Sequence, residues 1–297
     1  MRGRPLYVAE NVLANAVSPI LSRVRGPGDL GMDGDLARVS RTLTWFAECL
    51  ESVEIRADGR RIMELGPGRT CELLASFLLA GARSGVGFDT HVRVPPDCTS
   101  PGAFRELCAT LVTRNLDFLE AVGTTPAEVQ RRARELSSHQ YPLEFAQYDG
   151  KSIPLADSSI DLIFSKSVLE HVSPDYVEPL LAEMRRVLHR GGVMAHIIDL
   201  RDHMQIDKDT VTGNWLDALT YPDWLFRAMF SNRPVAINRL RADRWMELFT
   251  RHGFRVVSVK RYRLPLPTGF ERNRLATPWR ALDEDTLSIA QLAVVLD

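Results

Sequence analysis

The chain has 297 residues, of which 45% are hydrophobic and 25% charged, so it can bury a sizeable core in one large or two modest domains. The 37 Lys and Arg residues balance 38 Asp and Glu residues, which argues against a nucleic-acid-binding surface. No window is long and apolar enough to span a membrane, so we expect no membrane partner. Polar residues interrupt the N-terminal apolar run, which argues against a signal peptide.

The cysteines have neither the CxxC spacing of a metal site nor the density of a disulfide scaffold. The four residues are Cys49, Cys71, Cys98 and Cys108. We interpret Cys71, which falls in an apolar helix pattern, as a small core residue. The simplest setting is the reduced cytoplasm, and the sequence predicts no metal site.

The N-terminal segment is rich in turn residues up to about residue 33, and it either folds over a ligand or wraps the surface. Residues 35–53 follow with apolar side chains at helical spacing along one face, which predicts a helix packed on the core. We therefore divide the chain into an N-terminal helical segment or lid, residues 1–55, and a main domain, residues 56–297.

A short apolar strand ends at a Gly66-Pro67-Gly68 turn, and an apolar helix over 73–79 follows. The two glycines allow close approach to the backbone, the proline stiffens the turn, and the free N–H groups of the helix can hold a polar ligand. Glu64 beside this loop would repel a phosphate and attract a positively charged ligand. Taken alone, the pattern fits an ordinary tight turn as well as a ligand loop.

The next strand stops at Asp89, which lies 21 residues beyond Gly68. A dinucleotide-type fold places its ribose acceptor there, and the alternative is a helix or turn cap. Residues 91–139 show no strand pattern but contain helix patterns over 101–121 and 125–136, which we interpret as an inserted helical cap. The strand pattern returns over 143–148.

Two further strand patterns come later in the chain, separated by a helix over 174–189 that Gly191-Gly192 would end. The first, residues 161–165, is a short apolar run typical of a buried parallel strand. The second, residues 193–198, stops at Asp199. Strand patterns over 253–259 and 289–296 complete the chain.

The ordered series of motifs resembles the class I S-adenosylmethionine-dependent methyltransferases from about Ile62 to Leu200, with weaker support beyond. The residues that carry the resemblance are Glu64-x-Gly66-x-Gly68, Asp89, Asp149, Ile153-Pro154-Leu155, Asp161-Leu162-Ile163, Leu169-Glu170-His171 and Arg186 to Gly192. It implies a Rossmann-like, doubly wound α/β fold, with a mostly parallel seven-stranded sheet that has one antiparallel strand near the C-terminus. It also implies S-adenosyl-L-methionine as the cofactor.

The resemblance also assigns the cofactor-binding residues. The loop Gly66-Pro67-Gly68 would approach the methionine part, and Glu64 would lie near its ammonium group. Asp89 would accept from the ribose hydroxyls, and Asp149, followed by Gly150, from the adenine amino group. Ser165 and Lys166 would border the methionine and the reacting centre. Thr70 stands where many members have a third glycine, and we expect it to cap the helix instead.

Three residues are candidates for proton transfer. His171 can accept a substrate proton near neutral pH, or it can simply hydrogen-bond the backbone. Asp199 and His203 lie at the edge where open α/β sheets bind ligands, with loop hydrogen bonding as the alternative. Glu170 is a candidate substrate contact or a structural residue.

Residues 200–245 form the second predicted insertion. Its aromatic residues, including Trp215, predict either a lid over the substrate or a packed helical layer. Asn238 and Arg241 could supply a clamp for a substrate carboxylate.

The favoured function is methyl transfer to a hydroxyl or amine of a small molecule, in specialised metabolism, with carboxylate and carbon acceptors left open. A second hypothesis, motivated by Lys166 and the cap, is intramolecular cyclisation of the cofactor with release of methylthioadenosine. A third is a non-catalytic cofactor-binding subunit. A nicotinamide-dependent oxidoreductase would explain Asp89 but not Asp149 or the Leu169-Glu170-His171 motif. The sequence gives no information on the acceptor or the oligomeric state.

Overall fold

The computed structural model describes residues 4–25, 42, 44–46, 48, 56–68, 71–90, 100–114, 124–138, 142–203, 214–232 and 237–297. Within these ranges seven strands form one sheet in the order β3-β2-β1-β4-β5-β7-β6. They are β1 (Arg61–Leu65), β2 (Ser84–Asp89), β3 (Leu143–Gln147), β4 (Ile160–Lys166), β5 (Leu188–Asp199), β6 (Val256–Arg263) and β7 (Ile289–Leu296). Strands β1 to β5 are parallel, and β7 runs antiparallel to both β5 and β6. The predicted fold class is confirmed.

The described α-helices are α1 (Arg4–Arg25), α2 (Glu72–Leu79), α3 (Pro101–Arg114), α4 (Pro126–Ser138), α5 (Pro174–Val187), α6 (Asp223–Phe230), α7 (Ala242–Arg251) and α8 (Glu284–Ser288). The helix predicted over 174–189 ends at Val187, because β5 already pairs with β4 at Leu188. Gly191, at φ +83°, lies where the register between these strands shifts. In the predicted 35–53 helix, residues 42, 44–46 and 48 are described and helical. Thr70 lies outside the described residues.

Helices α2, α3 and α4 cover one face of the sheet. Phe104 and Leu111 of α3 and Val129 of α4 are buried with Phe77 of α2 and Phe164 of β4 in one apolar cluster. The apolar stripes of α3 and α4 are thus used up against the sheet. The structure therefore shows how these two helices pack on the core, and the cap over a ligand that we expect from residues 91–139 stays a prediction.

Helices α5 and α7 cover the opposite face. Leu180 and Met184 of α5 and Trp245 and Phe249 of α7 are buried with Met63 of β1 and its neighbours. Both faces of the parallel strands are therefore apolar, as is usual for a doubly wound sheet.

A third, smaller group of apolar residues lies beside the carboxyl end of β5. Trp215 and Leu219 pack with Trp279, Leu287 and Ala290, and the Leu200 amide donates to the Ala290 carbonyl (2.8 Å). An adjoining cluster contains α6, against which Tyr7 and Val8 of α1 pack. We call the described residues 214–232 and 264–282, with α1, the side layer.

Cys71, at the start of α2, is buried and disulfide-bonded. Its interpretation as a small core residue is therefore confirmed, whereas the spacing of the cysteines did not predict its disulfide bond. Cys108 is a free, buried thiol whose pKa burial raises to about 12. Among the described residues no helix is both long and apolar enough to cross a bilayer.

Candidate active site

The carboxyl ends of the parallel strands meet at one edge of the sheet, and most of the predicted site residues lie there. Leu65, the last residue of β1, pairs with Phe88 of β2 and with Ser165 of β4. The loop after β1 is therefore flanked by the ends of both neighbours. This is the edge at which open α/β sheets bind ligands.

The two loop glycines have different roles. Gly66 has φ +66° and donates its N–H to the Phe88 carbonyl (2.7 Å). A Cβ at Gly66 would meet Val168 Cγ2 at 2.5 Å, so packing as well as backbone angle excludes a side chain. Gly68 has φ +67°, and among the described residues, its chain neighbours aside, no atom lies within 4 Å of where its Cβ would be. Clearance for a ligand is therefore found at Gly68, whereas Gly66 is a packing position.

Two acidic residues lie beside this loop. The Asp89 carboxylate accepts from the Gly68 N–H (3.2 Å), so it links the end of β2 to the loop. Glu64 is 4% exposed in the central strand, between Gly87 of β2 and Phe164 of β4. Burying a carboxylate at the centre of the sheet is costly, and a positively charged ligand group would offset that cost.

Asp149 and Gly150 form the turn after β3. Asp149 Oδ1 accepts from the backbone amides of Ser152 and Lys151 at 2.8 Å each, and these hydrogen bonds lower the pKa of Asp149. Gly150 adopts φ +78° to close the turn. The carboxylate is therefore exposed, fixed and ionised, as an acceptor for an amino group requires.

Tyr148 lies beside the predicted cofactor residues Asp89 and Asp149, but the sequence analysis did not identify it as part of the site. Burial raises the pKa of Tyr148 to about 12, and the charges of Asp89 and Asp149 add to the rise. Its ring meets that of Phe88 edge to face, with 5.8 Å between the centroids. Its position directly before Asp149, at the end of a strand, is the signal that could have identified it.

Ser165 differs from the prediction. Its side chain is fully buried, and Oγ lies 2.8 Å from Nδ1 of His196 in the neighbouring strand. Burial lowers the pKa of His196 to about 3, so this histidine is neutral. The Ser165 hydroxyl therefore points into the core, and only its backbone can border a ligand. Lys166, half-buried, ends β4 at the edge itself.

The three candidates for proton transfer lie together with Glu170. The short turn Leu169–His171 follows β4, and Asp199 to His203 follow β5, which is the neighbouring strand. The ring centroids of His171 and His203 are 5.0 Å apart, and His203 Nε2 lies 3.5 Å from Asp199 Oδ2. We call Glu170, His171, Asp199 and His203 the acid–imidazole cluster.

The two carboxyl groups of the cluster have opposite pKa shifts. Burial raises the pKa of Glu170 well above its ordinary value, and the Asp199 charge adds to the rise. Burial alone would also raise the pKa of Asp199, but hydrogen bonds from Arg201 and His203 outweigh it and hold this pKa well below its ordinary value. Arg201 contacts both carboxylate oxygens, with Nε–Oδ1 2.8 Å and Nη2–Oδ2 2.6 Å. Asp199 is thus ionised, and Glu170 keeps its proton to higher pH.

Asn238 does not face a ligand. Its side-chain amide donates to the carbonyls of Leu169 (2.7 Å) and Val172 (3.1 Å), and its backbone N–H donates to the Glu170 carbonyl (2.6 Å). These hydrogen bonds give the predicted substrate contact of Asn238 no support, and it stays a prediction. Asn238 instead holds the turn that carries Glu170 and His171.

Arg241 and Trp215 are also structural. Arg241 is 2% exposed and donates to the backbone carbonyls of Leu200 (2.5 Å), Leu287 (2.9 Å) and Ile289. Trp215 is 3% exposed in the side layer, and its indole N–H donates to the Pro265 carbonyl (3.4 Å). Neither the carboxylate clamp nor the tryptophan contact is supported, since both side chains are used within the fold.

The acceptor groups at this edge suit S-adenosylmethionine. The space above Gly68 is open, and the loop backbone there can be approached closely. Carboxylates of β1, β2 and the β3 turn offer acceptors in the order in which an ammonium group, ribose hydroxyls and an amino group would need them. Glu64, Asp89 and Asp149 are the residues that would hold this cofactor.

Two comparisons with known proteins, by sequence, gave the following results. A family model described as a methyltransferase domain matches residues 101–196. No curated protein matches the chain.

Solved structures similar to the chain include an S-adenosylmethionine-dependent methyltransferase from Mesorhizobium loti, with 16% identity and TM-score 0.48 over 86% of this chain and 99% of that one. A protein from Pyrococcus horikoshii OT3 has 16% identity and TM-score 0.48 over 93% and 97%. The 4+2 cyclase SpnF has 15% identity and TM-score 0.46 over 98% and 96%.

Proposed function

We propose that this chain is a class I S-adenosylmethionine-dependent methyltransferase that methylates a hydroxyl or amine of a small molecule, a proposal supported by the methyltransferase-domain match over residues 101–196 and by the order of its strands. One observation carries the choice of acceptor chemistry. Groups able to take up or stabilise a proton converge at the carboxyl ends of β4 and β5, next to the cofactor loop. Hydroxyl and amine acceptors need such groups because they must lose a proton when methylated.

S-adenosylmethionine, when bound, supplies a methyl group on a sulfonium, and the acceptor displaces it while the bonding electron pair leaves on sulfur. The chain's own task is then to align the acceptor and remove its proton. Val168, which abuts Gly66, is two residues from Glu170. The acid–imidazole cluster therefore lies next to the loop that would hold the methionine part.

Within the cluster, a neutral imidazole offers one ring nitrogen as a proton acceptor. Asp199 is ionised, faces His203 Nε2, and would stabilise the imidazolium that forms there. Arg201 fixes the Asp199 carboxylate through both oxygens. His203 therefore has two neighbours in the cluster. One is Asp199, and the other is His171, whose ring centroid lies 5.0 Å from that of His203.

The side layer favours a small acceptor. Arg239 joins two parts of the side layer, because it is 6% exposed and its guanidinium lies over the rings of Phe226 (4.0 Å) and Trp279 (4.3 Å). It also donates to the Ala218 and Tyr221 carbonyls, so the layer is a packed body beside the end of β5. A body at this position narrows the edge and suits a small molecule better than a polymer.

The test is to incubate the protein with S-adenosylmethionine and a panel of small hydroxyl and amine compounds. We expect one acceptor to gain the mass of one methyl group, with S-adenosylhomocysteine as the second product. His203→Ala should lower the turnover rate by about 10²–10⁴-fold, the usual contribution of a positioned acid or base. His189→Ala, exposed at the amino end of β5, is the matched control and should be unchanged.

Accumulation of methylthioadenosine without any methylated acceptor would contradict methyl transfer. It would support intramolecular cyclisation of the cofactor instead. Failure to bind the cofactor in calorimetry would contradict both.

A further inference from the structure

Three residues of the acid–imidazole cluster have the composition of a metal site. One ligand atom each from Glu170, His171 and His203 lies within 4.8 Å of the other two. The sequence predicts no metal here, because His203 follows His171 by 32 residues and comes from a different strand end. Only pairing of β4 with β5 brings the three together.

Glu170 is the residue that most needs a partner. It is 2% exposed, and neither carboxylate oxygen has a hydrogen-bond partner of good geometry among the described residues. Burial raises the pKa of Glu170. Contacts with the backbone amides of Glu170 and Asp199 and with the Ser167 hydroxyl lower this pKa, but their effect is smaller than that of burial. A buried carboxylate left in this way is costly, and either a proton or a cation relieves the cost.

The surrounding charges leave one negative charge for a cation to neutralise. Asp199 and Arg201 neutralise each other through their paired contacts. Glu170 then contributes the remaining negative charge, and two neutral imidazoles add lone pairs without charge. Mixed imidazole and carboxylate ligands suit zinc, iron(II) and similar transition metals better than calcium or magnesium.

We propose that Glu170, His171 and His203 bind a divalent transition-metal ion, with an open coordination position for the acceptor's hydroxyl group. Two histidines and one glutamate form one of the known ligand sets of catalytic zinc, which keeps a position open for water or substrate. This inference rests on the proposed function and assigns the acceptor subsite within it.

The cluster needs only a small contraction to bind a metal. Ligand atoms at about 2.0–2.1 Å from a tetrahedral zinc ion are about 3.3 Å from one another. His171 and His203 are both partly exposed and can rotate, while Asn238 holds the turn that carries Glu170. Asp199, 3.5 Å from His203 Nε2, has the position of a carboxylate that orients a ligating histidine.

The metal changes how the acceptor loses its proton. A hydroxyl bound to a divalent metal ion has a lowered pKa, so its proton leaves to solvent water before or during transfer. The oxygen then forms its bond to the methyl carbon as the carbon–sulfur bond breaks. With the metal bound, His171 and His203 act as its ligands, and the proton-acceptor role proposed above for an imidazole applies to the cluster without a metal.

The test uses tag-free protein stripped with a chelator. The protein is titrated with Co²⁺, followed by visible absorption, and with Zn²⁺, followed by calorimetry. We expect about one equivalent to bind. Glu170→Gln and His203→Ala should each weaken binding by roughly 100-fold or more, because losing even an outer-shell partner costs about 10–100-fold. His189→Ala should bind as wild type does.

Each outcome is decisive. Absence of binding to wild type, or equal binding by both variants, overturns the metal site. Chelated protein that still methylates its acceptor overturns the metal site and leaves the proposed function intact. Metal binding at these residues without methylation of any acceptor counts against the proposed function alone. Unchanged S-adenosylmethionine affinity shows that a variant is folded, and His203→Ala, at a partly exposed position, remains if Glu170→Gln does not fold.

Discussion

At the scale of single residues, Gly66 and Gly68 show that one backbone angle can serve two purposes. Their φ values differ by one degree, but Val168 fills the space beside Gly66 while the space beside Gly68 is open. The sequence predicts both as ligand clearance, because the glycine pattern does not reveal what packs against each residue. A side chain at either position also meets the cost of left-handed backbone, about 1–2 kcal/mol.

We expect Gly66→Ala to destabilise the protein more than Gly68→Ala. The first adds a clash with Val168 to the backbone strain, and overpacking typically costs about 1–3 kcal/mol. The second should mainly weaken cofactor binding. Urea unfolding and calorimetry with S-adenosylmethionine separate the two effects. Equal loss of stability, with cofactor affinity unchanged in Gly68→Ala, would show that Gly68 does not face the cofactor.

Glu170 makes stability depend on pH in an unusual direction. Because its pKa in the folded state is raised above the ordinary value of 4.5, the folded state keeps a proton that the unfolded chain has lost. This contribution is full below about pH 4.5 and declines as the pH rises toward the raised pKa. We therefore expect metal-free Glu170→Gln to gain stability relative to metal-free wild type as the pH rises from 4.5.

Urea unfolding over a pH series measures that difference. Glu183 supplies a control of opposite sign, since its pKa is lowered, chiefly by the hydrogen bond from Arg186. Its stabilising contribution is present above the ordinary pKa and is lost as the pH falls. The gap between wild type and Glu183→Gln should therefore shrink in acid. A gap for Glu170→Gln that does not vary with pH would show that this carboxyl group is not desolvated.

At the scale of elements, a buried asparagine adds hydrogen bonds to the apolar packing that joins α1 to α6. Asn15 is 5% exposed, and its amide donates to the carbonyls of Arg227 (3.3 Å) and Ala228 (3.0 Å), while its oxygen accepts from the Asn232 N–H (2.7 Å). The sequence left this segment open between a lid and a surface wrap. The backbone groups that this asparagine hydrogen-bonds lie more than 200 residues away in the chain, so the local sequence contains no pattern that predicts the contact.

We expect Asn15→Ala to loosen α1 by about 1–3 kcal/mol, the cost of leaving buried groups unpaired. Hydrogen exchange of the α1 amides should accelerate while the exchange of the sheet stays the same. Asn11→Ala is the matched control, because Asn11 donates only within α1, to the Tyr7 carbonyl (2.7 Å). Similar exchange in both variants would mean that Asn15 does not hold α1 in place.

At the scale of the whole molecule, the cofactor half was predictable and the acceptor half was not. The strand ends, the glycine loop and the acidic residues can all be predicted from local periodicity and short motifs. The sheet of the structure confirms the predicted strands. The acceptor half is built from hydrogen bonds between distant segments. Asn238 reaches the turn at Leu169, and Arg241 reaches Leu200 and Leu287. Residue type at these positions suggests ligand contact, and only the tertiary fold shows that the backbone already uses these side chains.

Arg241 decides between those two interpretations, because it joins the carboxyl end of β5 to the start of β7. A lysine has one ammonium group and cannot reproduce three separated contacts made by a planar guanidinium. We expect Arg241→Lys to lower the free energy of unfolding by on the order of 2–4 kcal/mol, since buried carbonyls lose their donors. Arg244→Lys, in an exposed pair on α7, should change it by less than about 0.5 kcal/mol. If Arg241→Lys instead keeps full stability and raises only the KM of the acceptor, Arg241 is a substrate clamp, and the junction at the end of β5 is held by its strand pairing alone.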